Sequence, residues 1–376
     1  MDYSQPLVRY WGRKPISVIL KYIKEEDEII VDPFGGAGSI ILAALLANKK
    51  FIYSDINIYA WLVTHVQVAS ADPEEYSNAI NLIIDELERR KENLPNYSPL
   101  KNDYLRYTNG TPFYKKRNIE RVTQLFSKRN YNLLRYILEL IDRISDRVSF
   151  RTAMALYLTH AAILFDASKM KRKNSGSWGV PCYWIPKNHL EESPIKLFKR
   201  RSKSFLRYFK SFRGVSVNYV ENMSNSLLLK SAFSLKYVPE YTVITDPPHT
   251  DEVQYLELSY FYWAWLRNSN FPKLLERKMG KKIRMHFKAE LTVNPKQGKN
   301  IKTYLLRLKR LLSKFKKARR VVLIMHEERV NILKELEKTL ARYYYIQKFE
   351  EKSRQRKIGP RGSDVFNVYV LKSKSR

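Results

Sequence analysis

The sequence predicts an α/β fold built on a doubly wound, mostly parallel sheet of about seven strands, with a helical and basic insertion. Three observations support this prediction. Near the start, an apolar run that ends in glycines, "EIIVDPFGG", leads into a helical segment and then into a second apolar run, "KFIYSDIN". Strand, glycine turn, helix and strand in this order begin a parallel α/β unit. Further apolar runs follow the middle of the chain, and residues 61–213 contain segments with helical periodicity.

The remaining strands are predicted in chain order from the same signal. The run "GVSVNYVEN", which begins at Gly214, is predicted as the third strand, and "YTVITDPPH" as the fourth. "ARRVVLIMH" is predicted as the fifth, and "YYYIQKFEEK" with "DVFNVYVLKSK" as a closing antiparallel pair. We therefore expect residues 1–60 and 214–376 to form the sheet-containing domain. Residues 61–213 would form a mostly helical insertion between the second and third strands.

The charge of the chain is strongly unbalanced. Its 376 residues include 69 Lys and Arg against 37 Asp and Glu, which gives a formal net charge of +32. Such an excess predicts a polyanionic partner, with nucleic acid as the first candidate. The single cysteine excludes a disulfide framework and a multi-cysteine zinc site, and the scattered histidines predict no metal site. No apolar run is long enough to span a bilayer, so we expect a soluble cytoplasmic protein without a membrane partner.

Positive charge is concentrated at the end of the insertion. Residues 169–213 hold 13 Lys and Arg but only two acids, and aromatic residues are interleaved with them. Basic side chains contact phosphates and aromatic rings stack on bases, so this segment is a candidate nucleic-acid-binding element. For its last helix, "PIKLFKRRSKSFLRYFKSF", the alternative is that the aromatic side belongs to the core. The candidate contact residues are Lys171, Arg172, Lys173, Trp178, Lys199, Arg200, Arg201 and Lys203.

A candidate nucleotide site lies at the ends of the first two strands. The segment "DPFGGAGS" stands where the first strand becomes the first helix. Glycines there let a ligand approach the backbone, and a helix N-terminus favours polar or anionic groups. The Gly-Lys-Ser/Thr of a P-loop is absent, which disfavours ATP hydrolysis. Asp55 ends the second strand, where a carboxylate can accept the ribose hydroxyls of a nucleoside. The alternative role for Asp55 is to cap the helix that follows.

Two motifs together resemble one enzyme family. "DPFGGAGS", followed later by "TDPPH", is similar to the first and fourth motifs of the amino-methyltransferases, which transfer a methyl group from S-adenosylmethionine to an exocyclic amine of a base. The segments "RYWGRKP", "QYLELSYFYW", "FDASKM" and "VNPKQGK" resemble a prokaryotic group of DNA methylases with a "YWARKP"-like N-terminal segment and a DPPY-type motif. The resemblance implies a Rossmann-like class I methyltransferase fold, S-adenosylmethionine as the cofactor and DNA as the substrate.

By position, the resemblance implies two sets of site residues. The catalytic set would be Asp246, Pro247, Pro248 and His249. The cofactor would be held by Tyr10, Trp11, Arg13, Lys14, Pro15, Asp32, Phe34, Gly35, Gly36, Gly38, Ser39, Asp55, Ile56 and Asn222. For Arg13 and Lys14, contact with a phosphate is the alternative role. Two positions depart from the family pattern: Gly35 stands where Cys or Ala is more usual, and His249 replaces Tyr, Phe or Trp.

The "TDPPH" motif suits the activation of a weakly nucleophilic amine. Asp246 and the carbonyl oxygen of Pro247 would accept the two amine hydrogens, and the prolines would fix their directions. A base must leave the duplex to reach this site, and His249 would stack on it. The insertion would recognise the target.

Adenine N6 is the favoured target amine, and cytosine N4 is left open. Two alternative functions are an RNA base methyltransferase and a nucleic-acid-binding protein with a degenerate methyltransferase site. The sequence also leaves open whether a restriction endonuclease accompanies the enzyme.

Overall fold

A seven-stranded sheet, formed by the described residues, is the centre of the fold. The computed structural model describes residues 7–8, 10–113, 118–173, 183–221, 226–248, 253–325, 330–353 and 364–374. The strands are β1 (Ile29–Asp32), β2 (Lys50–Asp55), β3 (Ser226–Leu229), β4 (Tyr241–Thr245), β5 (Arg320–Met325), β6 (Tyr344–Ser353) and β7 (Asp364–Ser373). Their order across the sheet is β3-β2-β1-β4-β5-β7-β6. Neighbours among β1 to β5 are parallel, and β7 is antiparallel to β5 and β6. The predicted α/β fold with a mostly parallel seven-stranded sheet is confirmed.

Helices cover both faces of this sheet. They are α1 (Ile16–Leu20), α2 (Ser39–Leu46), α3 (Ile58–Ala69), α4 (Pro73–Arg90), α5 (Lys128–Ser145), α6 (Phe150–Leu164), α7 (Pro194–Glu221), α8 (Tyr255–Leu266), α9 (Phe271–Met279), α10 (Ile301–Phe315) and α11 (Val330–Tyr343). Within the part of the chain that the structure describes, none of them combines the length and the apolar character needed to cross a membrane.

The central strands are buried on both faces. In β4, Val243 packs into the hydrophobic cluster that contains α10, whereas its neighbour Ile244 packs into the larger cluster that contains α3, α6 and α8. Parallel strands between two helical layers read as continuous apolar runs in the sequence. This is why β1, β4 and β5 were predictable from local pattern.

The predicted third strand is wrong. The helix α7 includes the segment "GVSVNYVE", and β3 begins only at Ser226. The β-branched residues of this segment favour a strand. Extension of an existing helix nevertheless adds one hydrogen bond per residue and needs no new nucleus. Gly214 costs about 1 kcal/mol relative to alanine inside a helix, which does not by itself end it.

The aromatic side of α7 belongs to the core. Phe198, Phe205, Phe209 and Phe212 are fully buried. The rings of Phe205 and Phe209 contact Tyr76 of α4 at centroid distances of 6.4 and 5.0 Å. These four rings attach the helix to its neighbours and are not accessible to bases. Of the two alternatives for this helix, the structure therefore favours the core interpretation of its aromatic side.

Candidate active site

A pocket opens at the carboxyl ends of β1, β2 and β4. Because these strands are parallel neighbours, the residues that follow them meet at one edge of the sheet. The empty space of the pocket, counted out to its open mouth, is about 900 Å³. Of the predicted cofactor and catalytic residues, those that line it are Tyr10, Trp11, Arg13, Lys14, Asp32, Phe34, Gly35, Gly36, Ser39, Asp55, Ile56, Asp246 and Pro248.

A few predicted site residues lie elsewhere. Pro15, Gly38 and Pro247 are buried beside lining residues, but they are not themselves part of the pocket wall. His249, the expected stacking residue, lies outside the described residues.

The predicted cofactor contact after the third strand changes position. Asn222, which also lies outside the described residues, was expected to follow that strand, but β3 begins later, at Ser226. The residues that do follow β3 and line the pocket are Ser231, Ala232 and Phe233. The assignment of Asn222 fails for the same reason as the third strand, because its role was inferred from its position after the predicted end of that strand.

The glycine turn between β1 and α2 is held by side chains from two elements. Gly36 and Gly38 have φ values of +48° and +78°, in the left-handed region that favours glycine. The carbonyl of Gly36 accepts hydrogen bonds from the hydroxyls of Tyr53 and Thr64, both at 2.9 Å. A Cβ atom on Gly38 would lie 2.6 Å from Cγ2 of Thr64. Glycine is therefore required at position 38 by both conformation and space.

Gly35, one of the two departures from the family pattern, has a separate structural reason. A Cβ atom at this position would lie 2.1 Å from Cδ2 and Cε2 of Tyr53. The Tyr53 ring is fully buried and cannot turn away without losing its hydrogen bond to Gly36. The missing side chain at position 35 thus makes room for the ring that supports the turn.

Asp55 braces the glycine turn and does not cap the following helix. Its Oδ2 accepts the N–H of Gly36 and its Oδ1 accepts the N–H of Asn57, both at 2.8 Å. Asn57 is the N-cap of α3, so the capping alternative for Asp55 is wrong. Burial raises the pKa of Asp55 to about 6. A carboxylate oxygen can accept more than one hydrogen bond, so Asp55 can still accept from a ligand hydroxyl in the pocket.

Asp32 lies at the end of β1 and is also buried. Its Oδ1 accepts hydrogen bonds from the hydroxyl of Thr245 at 2.8 Å and from the N–H of Phe34 at 3.2 Å. Burial raises its pKa to about 8, and the nearby carboxylates of Asp246 and Asp55 act in the same direction. A cation bound in the pocket would favour the ionised form of Asp32.

Arg13 is directed towards the glycine turn. Its guanidinium donates to Oε1 of Gln67 and, at 3.4 Å, to the carbonyl of Ala37. Gln67 donates to the same carbonyl at 2.8 Å. Burial lowers the pKa of Arg13 to about 10. These contacts support the turn from the N-terminal side. They differ from those of an exposed side chain available to a phosphate, which was the alternative role of Arg13.

Lys14 joins the N-terminal segment to the predicted catalytic motif. Its ammonium group forms an ion pair with Oδ2 of Asp246 and donates to the carbonyl of Gly12 at 3.2 Å. The two charged side chains are only 5% and 16% exposed. The ammonium group of Lys14, which the alternative role would place on a phosphate, is thus paired with Asp246. Asp246 is the residue predicted to activate the amine.

The tip of β4 is held from two sides. The hydroxyl of Thr245 donates to Asp32, as described above, and the hydroxyl of Tyr304 in α10 donates to the carbonyl of Pro248 at 2.9 Å. Asp246 therefore lies between two anchored residues.

Tyr255 and Glu290 also line the pocket, although neither was among the predicted site residues. The ring of Tyr255 lies 6.3 Å from that of Tyr10 at an angle of 18°, and a Cβ atom on Gly12 would lie 2.6 Å from its hydroxyl. Glu290 accepts the N–H of Leu256 at 3.0 Å, and burial raises the pKa of its carboxyl. Tyr255 lies in the segment "QYLELSYFYW" that carries the resemblance, so its neighbourhood was signalled. No comparable signal pointed to Glu290.

Much of the basic charge assigned to nucleic acid is engaged within the chain. Four of the candidate residues form the ion pairs Lys171–Glu192, Arg200–Glu192, Arg201–Asp166 and Lys199–Glu88. The guanidinium of Arg172 lies over the ring of Trp184, 4.8 Å from its centroid. Arg172, Lys173 and Lys203 are exposed to solvent. Trp178 lies outside the described residues.

Comparison with known proteins agrees with the motifs. No curated protein matches the chain. A family model described as D12 class N6 adenine-specific DNA methyltransferase matches residues 13–177. The matched stretch includes the glycine turn, Asp55 and helices α3 to α6, and it ends before β4 and its motif. The resemblance to DNA amino-methyltransferases is thereby confirmed over residues 13–177, which are similar to the D12 class of adenine N6 DNA methyltransferases.

Proposed function

We propose that this protein is a site-specific DNA methyltransferase that transfers the methyl group of S-adenosylmethionine to N6 of adenine. Cytosine N4 is the other exocyclic amine that the same chemistry would serve. The observation that carries the proposal is that Asp246 shares one pocket with the glycine turn and Asp55. The glycine turn and Asp55 have the features of a nucleoside-binding site, and the Asp246 carboxylate can accept a hydrogen bond from an amine. The family match over residues 13–177 supports the same class of reaction.

The lining of the pocket suits a cationic nucleoside. Around Gly36 the turn carries no side chain, so a ligand can approach its backbone closely. The Asp55 carboxylate can accept ribose hydroxyls. Asp32 and Glu290 add two further carboxyl groups to the wall. S-adenosylmethionine fits these features because it is a nucleoside with a positively charged sulfonium, and when bound it supplies an electrophilic methyl group.

Asp246 would act on the amine of the base. Its carboxylate is a hydrogen-bond acceptor, and the carbonyl of Pro247 would be the second. Because Asp246 Oδ2 accepts from Lys14, an incoming amine N–H would share or replace that contact. The anchored neighbours Thr245 and Pro248 keep the acceptor fixed, so little reorganisation is needed as positive charge develops on the amine nitrogen. Positioning of the amine would supply much of the remaining rate.

The substrate would be a flipped base in DNA. A base stacked in a duplex cannot enter a pocket of this kind, so it must be extruded or already single-stranded. We propose residues 1–60 and the chain from β3 onwards as the catalytic domain, and the helical residues from 61 to the end of α7 as the element that recognises the target. The boundary expected at residue 214 moves to the end of α7, because this helix continues to Glu221. The net charge of +32 supports binding of a polyanion, and the exposed side chains of Arg172, Lys173 and Lys203 are the candidate contacts in that element.

The proposal is tested by methyl transfer from labelled S-adenosylmethionine to duplex DNA, followed by mass spectrometry of the nucleosides. The product should be N6-methyladenine. Asp246→Ala should abolish transfer while calorimetry and anisotropy show cofactor and DNA binding nearly unchanged. Asp146→Ala is the matched control and should keep its activity, because it removes an exposed carboxylate that pairs only with an exposed arginine among the described residues. Retained turnover in Asp246→Ala would refute the catalytic assignment, and methylation of tRNA or rRNA alone would refute DNA as the substrate.

A further inference from the structure

A basic segment without acids adjoins the pocket. Residues 291–326 contain eleven Lys and Arg and no Asp or Glu. The helix α10 lies in the middle of this segment. In α7, by contrast, Lys199, Arg200 and Arg201 pair with Glu88, Glu192 and Asp166.

One side of α10 is built into the core and the opposite side is open. The buried side consists of Tyr304, Leu308, Leu311, Leu312 and Phe315. Lys302, Lys309 and Arg310 lie on the opposite side by helical periodicity, and Lys317 follows the helix end. We call these four residues the basic strip. Leu306, which lies among them, is 67% exposed, so no described element covers this face.

The basic strip keeps its charge unneutralised. Among the residues that the structure describes, none of its four members forms an ion pair with an acid. Lys302, Arg310 and Lys317 are exposed to solvent, and Lys309 is half-buried. Cations of this kind hold only mobile counterions, which a polyanion can displace.

The helix that carries the basic strip begins at the rim of the pocket. Tyr304, in the first turn of α10, donates to the carbonyl of Pro248, and Arg307 donates to the carbonyls of Ala289 and Glu290 at 2.6 and 2.8 Å. Pro248, Ala289 and Glu290 all line the pocket. With 15 residues, the helix extends about 22 Å from this rim.

We infer that the basic strip binds the phosphate backbone of duplex DNA beside the target base, an inference that rests on the proposed function. Phosphate contacts fix the position of a protein on the duplex without reading its sequence. The strip would thus hold the duplex next to the pocket while the helical insertion reads the target. It lies on a helix of the catalytic domain for which the sequence alone suggested no DNA contact.

The test compares two variants of the full chain that lose the same charge. In the strip variant, Lys302, Lys309, Arg310 and Lys317 are all replaced by Gln. In the control variant, Lys21, Lys24, Arg277 and Lys348 are replaced by Gln; these four are exposed, lie outside the proposed recognition element and already pair with acids. Binding of a duplex oligonucleotide is measured by fluorescence anisotropy between about 50 and 200 mM salt.

The strip variant should bind about tenfold or more weakly, and the slope of log K against log salt should fall by about 2 to 4, since each phosphate contact contributes about 0.9. Calorimetry should show unchanged binding of S-adenosylmethionine, and the control variant should change the slope by less than about one contact. An unchanged slope in the strip variant, or an equal loss in the control, would overturn the inference while leaving the methyl-transfer proposal intact. If the unaltered chain binds no duplex DNA, the proposed function itself fails.

Discussion

Gly35→Ala is expected to destabilise the protein because of one ring. The Cβ atom it adds would lie 2.1 Å from two ring carbons of Tyr53, where ordinary contacts are 3.4–4 Å. The ring must move by more than an ångström in a fully buried site, and it then loses the 2.9 Å hydrogen bond to the carbonyl of Gly36. Overpacking costs about 1–3 kcal/mol and a buried hydrogen bond about 1 kcal/mol.

A competing effect acts in the opposite direction. Glycine-to-alanine replacement restricts the unfolded chain and stabilises a protein by about 0.4–1 kcal/mol where the folded conformation allows it. Gly35 is not among the described residues with positive φ, so this gain would apply. The clash is larger, and we expect a net loss of about 2–3 kcal/mol in the free energy of unfolding.

The assay is urea unfolding of the full chain, with Tyr53→Leu and the double variant completing a mutant cycle. Removing the ring should relieve the clash, so the two changes should couple favourably by at least about 1 kcal/mol. The reasoning would be refuted if Gly35→Ala had the same free energy of unfolding as the unaltered chain. It would also be refuted if the effects of Gly35→Ala and Tyr53→Leu were strictly additive in the double variant.

Three further predictions concern residues in or beside the wall of the pocket. Asp32 has a pKa of about 8 against an ordinary 3.8, so its contribution to stability is lost as pH rises from about 4 to 8. Asp32→Asn should therefore gain a few kcal/mol over the unaltered chain between pH 4 and 8, and a pH-independent difference in unfolding midpoints would contradict this. Gly38→Ala should weaken cofactor binding at least about tenfold, through backbone strain and contact with Thr64. Calorimetry should show that Thr64→Ser partly restores the affinity; if it does not, the contact with Thr64 is not the cause. Tyr304→Phe removes the hydrogen bond to Pro248 and should lower kcat several-fold, at about 1 kcal/mol of stability, while KM for the cofactor stays constant; an unchanged kcat would show that this anchor is dispensable.

Most of the sheet and much of the site could be predicted from the sequence, because both depend on local pattern. β1, β4 and β5 are short apolar runs since parallel strands are buried on both faces. The acids Asp32, Asp55 and Asp246 end or follow β1, β2 and β4, which are adjacent in the sheet. Their convergence follows from the topology alone once the strands are recognised.

The third strand could not be found in this way. The segment that begins at Gly214 has a strand-like composition, but the core packing of Phe198, Phe205 and Phe209 establishes a helix that continues through it. Local preference is weaker than the extension of a helix already held by tertiary contacts.

The sequence by itself determined the α/β class, the glycine turn, the acids at the strand ends and the excess of positive charge. Only the tertiary structure decided how those charges are used. Lys14 pairs with Asp246 across 232 positions of sequence, three cations of α7 pair with acids outside that helix, and the basic strip of α10 finds none among the described residues. The physical reason is that periodicity is set by near neighbours along the chain, whereas the partner of a charged side chain is set by which distant segments folding brings within a few ångströms.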